Sequence, residues 1–192
     1  MKIRQTIFLL PLFLLAGCAS AGGSQSRDLD LKELCTEEQV FQYADFEWGT
    51  DSEQLFKQSS LKFDEKDLGQ GDESSTKTYE SKEKFSLENA ESNMDLEFSD
   101  GQLSQVSFTF DIEQDANTWI QKEVDELNSL YGGGIATGLG NQIYQWQGEQ
   151  DTVLQLTAFT EGDESATVIL SVASMEYSIC LLYTSPSPRD RG

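Results

Sequence analysis

Between residues 94 and 110 the chain alternates. Met94, Leu96 and Phe98 are separated by acids, and Val106, Phe108 and Phe110 by hydroxyl residues. A period of two sends one set of side chains to a buried face and the other to water. Asp100-Gly101 lies between the runs, and these residues tolerate the positive φ of a two-residue hairpin turn. The pattern predicts a hairpin whose return strand is Gln102 to Phe110. Upstream, Lys77 to Leu87 carries Tyr79, Phe85 and Leu87 and reads as a strand with a bend. The period then changes. Ala116, Ile120, Val124, Leu127 and Tyr131 fall on one face of a helix over Ala116 to Tyr131, with Asp115 to cap it and Gly132 to Gly134 to stop it. The glycines follow that helix instead of preceding one, so they are no phosphate cradle, and a loop is expected through Gly140. Gln142 to Trp146, Thr152 to Phe159 and Ala166 to Ser174 read as three more strands. The last is rich in Val, Ile and Leu, which suits a central place in a sheet.

The earlier chain is less regular. Thr50-Asp51-Ser52-Glu53 has the form of a capping box and predicts a helix over Asp51 to Ser60. Thr36-Glu37-Glu38-Gln39 has the same form, and Asp28 to Ala44 stays open between a short helix and an edge strand. Phe63 to Ser75 is polar and reads as a loop. Asp64, Asp67 and Asp72 lack the alternate spacing of a calcium loop. Helix, strands, helix, strands is the order. It implies an α+β fold of tandem αβββ-like units, an antiparallel sheet with helices packed on one face, in halves of about 45–110 and 111–178.

The first residues follow another logic. Lys2 and Arg4 precede an apolar run, Ile7 to Leu14, and then Leu15-Ala16-Gly17-Cys18. The run is shorter than the roughly 20 apolar residues that cross a bilayer, and the layout is that of a secretory signal. Leu15 to Cys18 resembles the lipobox of bacterial lipoproteins. The resemblance implies lipidation of Cys18 as the first mature residue, and Ala19-Ser20 implies the outer membrane of a Gram-negative cell, with the chain facing the periplasm. The expected division is 1–17 signal peptide, 18–34 lipidated cysteine and flexible tether, 35–178 a single α+β domain, and 179–192 a non-native tail. That tail, from Cys180-Leu181-Leu182-Tyr183 through Asp190, resembles the translation of a transposon-end adapter used in sequencing libraries. It is expected to be read-through from a truncated gene fragment, which leaves Cys35 without a natural partner in Cys180.

Charge narrows the function. Between Cys18 and Ser178 stand 9 basic and 33 acidic side chains, a net of −24. Such a field repels phosphate backbones, so no nucleic-acid partner is expected. The chain has no histidine. That removes the commonest general base and the usual zinc and haem ligands, and Cys35 lacks an activating partner. No catalytic residue, metal ligand or cofactor is expected, no small-molecule ligand is indicated, and the chain reads as a non-enzyme. Of Trp48, Trp119 and Trp146, the latter two suit a core. Trp48 stands beside Gly49 at a helix start and is the candidate partner contact.

The lipobox, Phe46-Glu47-Trp48-Gly49-Thr50 before a helix with Glu53, the Asp100-Gly101 hairpin, and Leu127, Leu130, Tyr131 and Gly132 before Trp146 together resemble a group of small bacterial outer-membrane lipoproteins. The group includes the small SmpA/OmlA-type lipoprotein of the β-barrel assembly machine, and its fold is shared with the β-lactamase inhibitor protein. Where such chains end the first helix in Leu-Gly-x-Pro, this one has Ser59-Ser60-Leu61-Lys62. The resemblance implies a non-enzymatic role through contacts with another envelope protein, in outer-membrane assembly or maintenance. The acidity supports an alternative, an inhibitor or binding module for a basic hydrolase.

Overall fold

In the computed structural model, residues 26–67, 75–137, 142–162 and 164–178 are described. Cys18 and the signal segment before it, the Gly/Ser-rich stretch up to residue 25, and the tail from residue 179 lie outside them.

The fold is α+β and mostly sheet. Strands β1 (Arg27–Asp28), β2 (Phe63–Lys66), β3 (Thr76–Leu87), β4 (Ala90–Ser99), β5 (Gln102–Ile112), β6 (Ile135–Thr137), β7 (Gln142–Gln147), β8 (Thr152–Glu161) and β9 (Ser165–Ser174) share one sheet, ordered β1-β3-β4-β5-β9-β8-β7-β6, with β2 also on β3. All pairings are antiparallel except β1 with β3. The helices are α1 (Ser52–Gln58), α2 (Ala116–Tyr131) and α3 (Met175–Ser178), with a 3₁₀ turn at Leu31–Leu34.

Register explains the core. Tyr79, Leu96, Val106, Val172, Leu154 and Trp146 are successive cross-strand partners, so one apolar row crosses the sheet from β3 to β7. Met94, Phe108, Leu170, Leu156 and Tyr144 make a second row beside it. Each large side chain buried here contributes about 1.5–3 kcal/mol relative to exposure. Segments outside the sheet meet this core through aromatic contacts. Phe56 of α1 stands 5.0 Å from Tyr79 and 6.1 Å from Phe98, centroid to centroid. Trp119 of α2 stands 5.9 Å from Phe110, and Tyr43 lies 5.7 Å from Phe108.

The hairpin forms at Asp100-Gly101, with φ of 50° and 81°. The bend in β3 is a register shift between Glu80 and Lys84, where the buried Ser81 hydroxyl takes the Met94 amide at 2.8 Å. β9 is central, between β5 and β8.

Other expectations are corrected. Asp51, not Thr50, caps α1, accepting the Gln54 amide at 2.9 Å. Asp115 does not cap α2 through its side chain, because it adopts a left-handed φ of 51° that turns the chain into the helix. Thr36 to Val40 form a closed turn, not a helix start: the Thr36 amide donates to the Val40 carbonyl at 2.9 Å, and Gln39 takes φ 63°. The expected loop after Leu61 begins as a strand, because Phe63–Lys66 finds the free edge of β3. The expected loop after Gly134 contains β6, paired with β7. Leu29, Leu31 and Leu34 are buried, so the packed part of the chain starts before Cys35. Tyr131 secures this stretch by donating its hydroxyl to the Leu31 carbonyl.

Candidate functional site

Trp48 sits at a junction. It is half-buried against the core, and its indole N–H donates to the Phe41 carbonyl at 2.9 Å. Next to it, Gly49 takes φ 77° and donates its amide to the Leu103 carbonyl at 3.0 Å. This tie holds the segment to the start of β5. The ring of Tyr177, on α3, lies directly over Gly49, where a Cβ would come within 2.7 Å of it. Glycine is therefore required twice here, for its φ and for its missing side chain. Between Trp48 and Tyr177 opens a cavity of about 460 Å³, walled also by Glu38, Val40, Glu47 and Glu176.

The second feature is the face of the sheet opposite the core. Asp95, Ser107, Ser171, Gln155, Gln145 and Ile135 are cross-strand partners along it. On β3 and β4 this face is charged, and Lys66 reaches across to Glu80 and Asp95, both at 3.0 Å. From β5 to β6 it is neutral. Gln, Ser and Thr alternate with Val153, Ile143, Ile169 and Phe159, and among the described side chains only Asp111, at one corner, is charged. Gln145 donates across to Gln155 at 2.6 Å, and Gln155 donates along its own strand to Thr157 at 2.8 Å. Phe159 is 43% exposed and Ile135, on the edge strand, 67%.

The third is Glu123. It lies in the buried stripe of α2, and neither carboxylate oxygen has a hydrogen-bond partner. Burial first, and then repulsion from Glu126 and Glu88, push its carboxyl up to about 7, with Lys122 opposing. Its helical spacing was the available signal: Glu123 stands three residues after Ile120 and four before Leu127.

Trp146 and Trp119 both pack with the core. The Trp146 indole donates to the Gly132 carbonyl at 2.9 Å and to Asn128 Oδ1 at 3.1 Å, so it clasps the end of α2. Cys35 is a free, half-buried thiol, raised by burial. Among the described residues no group of three or more Cys, Asp or Glu side chains is placed to hold a metal, and no helix is long and apolar enough to cross a membrane. Comparison with protein-family models, with curated proteins and with solved structures finds no match to this chain.

Proposed function

We propose that the chain is a non-enzymatic lipoprotein of the bacterial envelope. It is held by lipid on Cys18 to the outer membrane, faces the periplasm, and acts by contact with another envelope protein in assembly or maintenance. The address rests on Leu15 to Cys18. The mode of action rests on one observation, the exposed Phe159 and Ile135 on the neutral half of the open sheet face. In a chain whose residues 18–178 carry a net charge of −24, a broad surface of amides and hydroxyls with exposed Phe159 and Ile135 suits burial against a partner, where charges would be costly to desolvate. We read the architecture as tandem αβββ units, α1 with β3-β4-β5 and α2 with β7-β8-β9, joined where β5 pairs β9 and covered on one face by the helices. The ring contacts of Phe56 and Trp119 support that reading.

Two measurements test it. Labelled palmitate should enter the protein and be lost in Cys18→Ser. A photo-reactive residue at Gln155 should then cross-link one envelope protein in intact cells, and the same residue at Gln121, on the exposed side of α2, should not. No palmitate, or the same bystanders from both positions, would remove the reading. The charge favours a second reading, a module that binds a basic hydrolase. It requires salt-sensitive binding to a cationic enzyme such as a lysozyme.

A further inference from the structure

The cavity beside Trp48 is built before anything enters it. The indole is fixed by its bond to Phe41, and the Tyr177 ring by its seat on Gly49, so two aromatic walls are positioned by backbone. Glu38, Glu47 and Glu176 complete the rim, and no basic side chain lines it. The open face near β3 and β4 is different, since its acids are met by Lys66, Lys82 and Lys84. Among the described residues none of the three rim carboxylates takes part in an ion pair.

Aromatic faces and unpaired carboxylates attract the same thing. A cation over an indole or phenol face is held by the ring quadrupole. A planar guanidinium can stack on the ring while its edge donates to carboxylates, which an ammonium cannot do as well. We infer that this cavity receives an arginine side chain of the partner protein, stacked between Trp48 and Tyr177 and paired with the rim carboxylates. The inference rests on the protein-contact reading and names the chemistry of the partner at this point.

The probe is a blocked five-residue peptide, glycines around one arginine, titrated into the full chain and followed by the Trp48 indole N–H resonance. The same peptide with citrulline, a neutral isostere, should bind at least about tenfold more weakly. The triple variant Glu38→Gln, Glu47→Gln, Glu176→Gln should lose about tenfold in affinity for the arginine peptide. A charge-matched variant at positions that do not line the cavity, Glu113→Gln, Asp125→Asn, Glu164→Gln, should change it less than about threefold. Equal binding of the citrulline peptide, or equal losses in the two triple variants, overturns the inference. Cross-linking from Gln155 keeps the two proposals apart. If the first triple variant captures the same partner as strongly as the native chain, the protein-contact reading stands and the cavity has no part in it.

Discussion

Replacing Glu123 by glutamine should stabilise the protein at pH 8 and leave it unchanged at pH 4. The native carboxyl is buried on α2 without a hydrogen-bond partner, beside Glu126 and Glu88. In the unfolded chain it titrates near the ordinary 4.5, and in the folded chain near 7. Between these values the folded state holds a proton that the unfolded state has released, so stability falls as pH rises. Below 4.5 both states are protonated and the cost is absent; above 7 it is complete. Each pH unit between the two midpoints corresponds to about 1.4 kcal/mol, so the full cost is roughly 3–4 kcal/mol. Glutamine keeps the shape of the neutral acid and removes the titration. At pH 8 the variant should melt about 6–16 °C higher, taking roughly 2–4 °C per kcal/mol for a domain of this size.

The assay is urea unfolding of both proteins at half-unit steps from pH 4 to pH 8.5. The absolute curves will both slope, because every surface carboxylate adds self-repulsion as it ionises. Their difference isolates Glu123. It should be near zero at pH 4, grow between pH 4.5 and 7, and level off above. A difference that is flat across this range would show that the carboxylate finds a partner or water in solution, and would refute the reasoning.

Gly49→Ala sets a methyl against the Tyr177 ring at a φ of 77°; it should cost more than about 1 kcal/mol, read as a lower urea midpoint, and Gly49→Ala in a Tyr177→Ala background should recover the clash but not the backbone strain. Leu127→Ala removes a side chain that is 0% exposed, and should cost about 2–5 kcal/mol with unchanged secondary structure by circular dichroism. Added sodium chloride should raise the melting temperature, since counterions screen the net charge of −24 on residues 18–178; a fall between 0.05 and 0.5 M would contradict the view that the acids repel one another in the folded state.

Much of the architecture is written locally. Helix α2 has the bounds that its apolar stripe gives, and the hairpin at Asp100-Gly101 follows from alternation and two residues that accept positive φ. What the sequence hides depends on distant partners. Phe63–Lys66 is a strand only because β3 offers it an edge, and Ile135–Thr137 only because β7 does. Capping boxes misled at Thr36 and by one position at Thr50, because a hydroxyl that can bond an amide serves a turn as well as a helix. Trp48 could be picked out from its neighbours. The cavity beside it could not, since Tyr177 arrives from α3, at the end of the described chain.

The neutral half-face is the least legible feature and the one from which a partner is argued. Alternation tells which residues face away from the core, but only register shows that Ser107, Ser171, Gln155 and Gln145 stand in one row. A structural account of that neutrality exists. Like charges directly opposite one another on adjacent strands destabilise a sheet, and the chain has no base between Lys122 and Ser178 to offset acids there. On β3 and β4 the same problem is met by lysines, with Lys66 bridging Glu80 and Asp95. Cross-strand repulsion accounts for the missing acids, and so for the glutamines and hydroxyls. It does not account for Phe159 and Ile135, which stand exposed at positions where serine or threonine would avoid repulsion equally well. Those two side chains, not the neutrality itself, are what favour the proposed docking role over a surface that is merely uncharged. Replacing both with serine should therefore abolish cross-linking from Gln155 while leaving the unfolding free energy within about 0.5 kcal/mol of the native value, the range of ordinary surface changes.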